Sequence, residues 1–302
     1  MTNTIKEKSQ IWLEDVYKVY GDKVILDDID LAVAAGEVLT VVGPSGCGKS
    51  TLLRLILGQE FPSKGTILID GVPIGFADRT RGIVYQRYSL FRHRTVLGNV
   101  LEGPRLSLPF KERRRKKQEL IDEAKHFLEK VGLSQDQDKY PHELSGGMRQ
   151  RVAIAQSLIM KPKILLMDEP FGALDPATRQ SMQLFLLELW EDLGMTVFFV
   201  THDLEEAVFL GTRVIVLSQQ YLDDRGDGIE VKRGSKITAD HPLPLKAKSV
   251  DVKRTAEFGE LIEEIRLEVD VRQKRHVRDF NLKHPFSWRT VREEEHNPHE
   301  GS

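Results

Sequence analysis

Nine consecutive residues carry the plainest chemistry in this sequence: Gly43, Pro44, Ser45, Gly46, Cys47, Gly48, Lys49, Ser50 and Thr51. They fit the P-loop spacing of a glycine, four free positions and then Gly-Lys-Ser/Thr. Glycines let consecutive backbone N–H groups turn inward into an anion-binding nest that a Cβ would crowd. Lys49 can reach β- and γ-phosphates, and the Ser50 hydroxyl can ligate Mg²⁺. The pattern predicts binding of nucleotide phosphates.

Further chemistry-bearing residues recur at the ends of apolar runs. Asp168 and Glu169 follow Ile164-Leu165-Leu166-Met167, a run that reads as a strand buried on both faces. An acid at such an end fits an Mg²⁺-holding aspartate, and Glu169 adds a carboxylate able to orient or deprotonate water. Two adjacent acids also describe a solvated turn. His202 follows a second apolar run, Thr196 to Val200; it is placed for a γ-phosphate contact, with a structural histidine as the alternative. Gln86 ends a short strand-like segment from which an amide can reach Mg²⁺ or water. Tyr20, before the turn Gly21-Asp22-Lys23, is either a strand-end aromatic or a stacking platform for a base. Leu144-Ser145-Gly146-Gly147-Met148-Arg149-Gln150 reads as a capped helix start or as a second anion site at a positive helix end.

The elements that must position these groups alternate strand and helix, an α/β pattern. Val38 to Val42 runs into the P-loop, and Leu52, Leu53, Leu55, Ile56 and Leu57 leave it as a helix ended by Gly58. Residues 11–42 form strand-like runs, with Val24-Ile25-Leu26 and Ile29 to Val33 read as separate pieces. Residues 90–160 turn helical: Leu120, Ala124, Phe127 and Val131 recur at helical spacing before Gly132. The basic run Lys111 to Lys117 reads as a solvated helix face, because no aromatic residues interleave with it. Beyond residue 218 the pattern weakens to an exposed loop at Asp223 to Gly228, an amphipathic helix through Phe258, Leu261, Ile262, Ile265 and Val269, and a charged tail. His276, His284, His296 and His299 lack ligand spacing.

Composition excludes several classes. The 302 residues carry 44 basic and 46 acidic side chains, a net charge of −2 that gives no global field for nucleic acid or anionic lipid. Cys47 is the one cysteine, so no disulfide framework exists within the chain. The sequence contains no run of 18 apolar residues and no signal-like start. These features predict a cytosolic-type protein.

Taken in order, the motifs resemble those of the ATP-binding subunit of an ABC transporter over about residues 10–218. The resemblance rests on Tyr20, the P-loop, Gln86 (Q-loop), Leu144 to Gln150 (signature), Ile164 to Glu169 (Walker B), Ala173-Leu174-Asp175 (D-loop) and His202. It implies a P-loop NTPase with a RecA-like core sheet, an N-terminal antiparallel β-subdomain and a helical subdomain at about 90–162. That domain would occupy residues 1–218, followed by a small extension over 219–302. It also implies ATP and Mg²⁺ as cofactors, with Ser50, Gln86 and Asp168 serving the metal, Glu169 as general base and His202 on the γ-phosphate. Ser145, Gly146, Gly147, Gln150 and Asp175 would face nucleotide across a head-to-tail pair, formed with a second copy or a homologous ATPase subunit. The partners implied are membrane permease subunits touched around Gln86 to Asn99, a periplasmic solute-binding protein indirectly, and no nucleic acid. The chain would then lie on the inner face of the cell membrane.

Wording narrows the subfamily. Leu144 to Arg151 and Phe199 to Ala207 resemble nitrate/sulfonate/taurine-type importers, and the segment Arg278 to Pro285 resembles ATPases of urea-carboxylase-type nitrogen metabolism. Arg92-His93 stands where an apolar Pro-Trp pair often precedes Arg-Thr in that family. Two other classes have weaker support. A soluble ABC protein acting on nucleic acid or ribosomes would carry two P-loops, cysteine pairs or long heptads. A non-hydrolysing module is opposed by the presence of both Glu169 and His202.

Overall fold

The computed structural model describes residues 2–86, 89–226, 230–243, 250–270, 272 and 274–287. Tyr88 of the expected partner-facing stretch, Asp227 and Gly228 of the expected loop, and His296 and His299 of the tail lie outside them. The chain forms two compact units, one from Met1–Phe76 with Phe198–Ser302 and the other from Ala77–Val197.

The first unit begins with α1 (Thr2–Lys8), β1 (Ser9–Tyr20), β2 (Lys23–Ala34), β3 (Val38–Val42), α2 (Lys49–Leu57), β4 (Lys64–Ile69) and β5 (Val72–Pro73). Strands β2, β1, β4 and β5 pair in that order as an antiparallel sheet. The two runs read separately at 24–26 and 29–33 are one strand, β2. Asp28 takes a left-handed φ of 57° between them, and Asp15 in β1 takes a φ of 50°. These kinks lie where the register shifts, as bulges do. Asp15 also fixes a glycine: a Cβ on Gly65 would lie 2.1 Å from the Asp15 carbonyl oxygen.

The second unit holds β6 (Arg81–Val84), α3 (Val96–Val100), α4 (Glu102–Ser107), α5 (Phe110–Arg115), α6 (Lys117–Lys130), α7 (Gly146–Leu158), β7 (Ile164–Asp168) and α8 (Pro176–Leu193). Strands β6 and β7 are parallel, with Val84 opposite Met167. Ile164 to Met167 are fully buried, as an uninterrupted apolar run requires. The α6 stripe buries Ala124, Phe127 and Val131, and Gly132 closes it at a φ of 68°. The basic run of α5 buries nothing, so it is the solvated face expected.

Strand β8 (Thr196–Val200) returns the chain to the first unit, which continues with α9 (Leu204–Leu210), β9 (Arg213–Ser218), β10 (Tyr221–Leu222), β11 (Lys236–Pro242), α10 (Ala256–Val269), β12 (Arg275–His276) and β13 (Asn281–Leu282). Here the strand order is β13-β11-β9-β3-β8. The amphipathic segment forms α10, burying Phe258, Ile262 and Ile265.

Strand β11 has no counterpart in the sequence reading, because its polar residues point inward. Lys236, Thr238, Asp240 and His241 are all buried. Lys236 pairs with Asp28 at 2.9 Å, and Asp240 receives Arg213 through Nε at 2.8 Å and Nη2 at 2.6 Å. Arg213 also donates to the Ala32 carbonyl at 2.6 Å. Removing one member of a buried ion pair strands the other, so Arg213→Ala should cost about 3–5 kcal/mol of unfolding free energy. The pairwise replacement of Arg213 by Met and Asp240 by Leu should cost much less, as denaturant melts of both variants will test.

Candidate functional site

The P-loop joins β3 to α2 in the first unit, and its shape depends on glycine at two positions. Gly43, at a φ of 154°, is pressed against β9: a Cβ there would lie 2.1 Å from the Leu217 carbonyl oxygen. Gly48, at a φ of 97°, caps α2, and a Cβ would meet the Leu26 side chain at 2.9 Å. The turn closes through the Cys47 N–H, which donates to the Pro44 carbonyl at 3.3 Å. Lys49 is buried and its ammonium donates to the carbonyls of Gly43 at 2.7 Å and Pro44 at 3.0 Å. It therefore lies along the loop's inner edge, where an anion would collect its charge. Ser45 and Gly46 are exposed at the tip, while Ser50 and Thr51 open α2. The first turn of that helix carries no acidic side chain to oppose a phosphate at its positive end.

Two further groups belong to this unit. Tyr20 ends β1, its hydroxyl donating to Glu60 and its ring facing the Lys18 ammonium at 4.9 Å. Burial and the Glu60 carboxylate raise the phenol above its ordinary range, and a Thr51 hydrogen bond works against them. Tyr20 thus stands beside the first turn of α2. His202 follows β8 and is exposed. Its loop is braced from both sides: the Thr201 hydroxyl donates to the buried Glu206 at 2.6 Å, and the Asp203 carboxylate caps α9 by accepting from the Glu206 N–H at 3.1 Å.

In the second unit the register of β6 and β7 produces the most informative contact. Val84 faces Met167, so the residues two positions further on, Gln86 and Glu169, leave the strands side by side. Gln86 Nε2 donates to Glu169 Oε2 at 3.2 Å. Glu169 adopts a left-handed φ of 47°, a conformation that costs roughly 1–3 kcal/mol in a non-glycine residue and clusters at working sites. Its carbonyl accepts from the Gly172 N–H at 3.3 Å. Asp168 ends β7 next to this pair. Nothing in the sequence pattern foretold the Gln86–Glu169 contact, since it depends on strand register.

The Ser-Gly-Gly segment opens α7. Ser145 is the N-cap, its hydroxyl accepting from the Met148 N–H at 3.3 Å, and it remains exposed. Gly147 has a packing reason to be glycine, because a Cβ would sit 2.6 Å from Thr178 Cγ2 on α8. Asp175 caps α8, accepting from the Thr178 N–H at 3.0 Å, and a hydrogen bond from the Thr178 side chain, helped by this N–H, lowers its carboxyl below the usual range. Gln150 on α7 is 0% exposed, and among the described residues neither amide atom has a hydrogen-bond partner.

Residues 26–172 match the family described as ABC transporter. The chain belongs to that family. It is 48% identical over 216 residues to the uncharacterized ABC transporter ATP-binding protein MJ0412 of Methanocaldococcus jannaschii, covering 70% of this chain and 78% of that protein. It is 43% identical over 245 residues to the nitrate import ATP-binding protein NrtD of Synechocystis, covering 81% and 88%. Among solved structures it is similar to the dimeric bacterial ABC transporter cassette MJ0796, with a TM-score of 0.59, 34% identity, and coverage of 68% of this chain and 93% of the other. An ABC ATP-binding subunit of this kind binds and hydrolyses ATP. Among the described residues no helix is long and apolar enough to cross a membrane.

One property of this ABC cassette follows from burial. Cys47 is 3% exposed, and desolvation raises its thiol above the ordinary range while the nearby Lys49 pulls the other way. Only the thiolate reacts. Alkylation of Cys47 should therefore be slow at neutral pH, accelerate as pH rises, abolish nucleotide binding once complete, and be slowed by ATP. Mass spectrometry of the modified chain with and without ATP checks this; no protection by ATP would place the thiol outside the site.

Proposed function

We propose that this chain is the ATP-hydrolysing subunit of an importer, working as a head-to-tail pair that drives separate membrane permease subunits. The contact between Gln86 and Glu169 at 3.2 Å supports this reading most directly, because it puts a polarising amide on the carboxylate that would activate water. In this reading Glu169 takes the proton of the attacking water and His202 orients that water against the γ-phosphate. Lys49 and the P-loop N–H groups hold the phosphates, and Tyr20 stacks on the base. Ser50, Gln86 and Asp168 offer a hydroxyl, an amide and a carboxylate oxygen, a hard donor set suited to Mg²⁺. When bound, Mg²⁺ would neutralise phosphate charge; the residues of the chain orient what it binds.

Ser145, Gly146 and Gly147 would meet the partner's γ-phosphate at the positive start of α7, with Asp175 shaping the neighbouring turn. Likeness to a dimeric cassette supports such pairing. Residues 1–218 would form the ATP-binding domain and 219–302 an extension to it. Similarity to a nitrate import protein supports a small polar solute; permease subunits would carry it, a periplasmic binding protein would deliver it, and this chain would lie on the inner face of the membrane. Arg92-His93, both exposed next to the buried Asn99, would meet the permease. Asn99 holds their turn through the backbone of Phe91, Arg94 and Thr95.

Glu169→Gln should keep ATP affinity while lowering turnover by about 10²–10⁴-fold in the assembled transporter, measured by single-turnover kinetics. Near-normal turnover would remove Glu169 from the role of base. Tyr20→Ala should weaken ATP and ADP alike by roughly 1–3 kcal/mol, the worth of a base–aromatic stack; equilibrium titration with unchanged affinities would exclude the stack.

A further inference from the structure

The end of α10 and the residues after it share a cleft with the P-loop. Gly43, His202, Leu204, Arg266, Val269, Asp270 and Arg272 surround a volume of about 340 Å³ within the first unit. Gly43 begins the phosphate loop, and His202 follows β8. Tyr20 marks the opposite end of the site through its contact with Thr51 on α2. A nucleotide whose base rests at Tyr20 would therefore direct its terminal phosphate toward Gly43, His202 and this cleft.

Two guanidinium groups border that end. Arg266 lies in the last turn of α10 and is paired with Glu263 at 2.6 Å. Arg272 grips Asp270 with Nε at 2.9 and 3.1 Å and Nη2 at 2.7 Å, which lowers the Asp270 carboxyl to about 2. Both arginines remain largely exposed, so each can reorient. A helix C-terminus carries partial negative charge and would by itself repel a triphosphate. The arginines offset that charge and offer forked donors matched to phosphate oxygens.

We propose that Arg272, supported by Arg266, binds the γ-phosphate of ATP held in the P-loop of the same chain, making the end of α10 and the residues after it a reader of triphosphate against diphosphate. Asp270 is the competing anion that holds Arg272 until the terminal phosphate draws it away. The inference rests on the nucleotide site proposed above, and adds a contact to it that ADP cannot make. Its cost is small, because an exposed ion pair is worth little and is readily exchanged for a phosphate.

The test uses the full chain and equilibrium titration with ATP and with ADP. Arg272→Ala, and the double variant with Arg266→Ala, should leave ADP affinity unchanged and lower ATP affinity about tenfold, the worth of one charge-assisted hydrogen bond. The loss should shrink as salt rises. Asp270→Asn frees Arg272 and should shift preference further toward ATP. Lys49→Ala separates the two readings: it should abolish both nucleotides, and its failure to do so would discard the P-loop assignment rather than the arginine. Equal weakening of ATP and ADP by Arg272→Ala, an unchanged ATP-to-ADP ratio, or a fall in that ratio in Asp270→Asn would overturn the proposal.

Discussion

The closest approach in the phosphate loop is that of Gly43 to the Leu217 carbonyl, at a distance no Cβ tolerates. This contact seats the start of the loop on the end of β9. The carbonyls of Gly43 and Pro44 then anchor the Lys49 ammonium, and α2 begins with its N–H groups facing the same space. A side chain at position 43 would push the loop off β9 and misplace the lysine. The phosphate site is thus a consequence of backbone packing, and the charged group is held by carbonyls that give it a fixed direction.

The second unit builds its chemistry by register. A parallel pair of strands delivers residues at equal offsets to the same edge, so Gln86 and Glu169 meet without any sequence proximity. Left-handed backbone at Glu169 turns the carboxylate out of the strand line. The two caps nearby, Ser145 on α7 and Asp175 on α8, use their side chains to satisfy N–H groups of their own helices. Both residues therefore have structural work that is independent of a nucleotide. Gly147 does as well, since Thr178 fills the space a methyl would need.

Within the first unit, residues past 218 are tied to β2 by the buried Asp27. Asp27 accepts from Tyr221 at 2.8 Å and from Arg225 at 2.7 Å, and Ser235 exchanges backbone hydrogen bonds with Ile25 and Asp27. Gly234 fits only because it lacks a side chain against Ile25 and Leu26. Leu26 is also the residue that Gly48 of the P-loop packs upon. The segment after β9 and the phosphate loop thus touch the same stretch of β2 through different faces.

Local spacing alone determined the P-loop, the buried run before Asp168, the cap at Ser145, the amphipathic α10 and the order of motifs that placed the chain in its family. Each is a short-range pattern in which residue type and period carry the signal. Only the tertiary structure decided the continuity of β2, the existence of β11, the burial of Gln150, the low reactivity expected of Cys47 and the nearness of Arg272 to His202. The reason is common to all of them. A buried Lys236 or Asp240 looks like surface until its ion partner, distant in sequence, is known. Helical phase and strand register, set by packing across the unit, choose which of two neighbouring polar residues faces solvent and which faces the core.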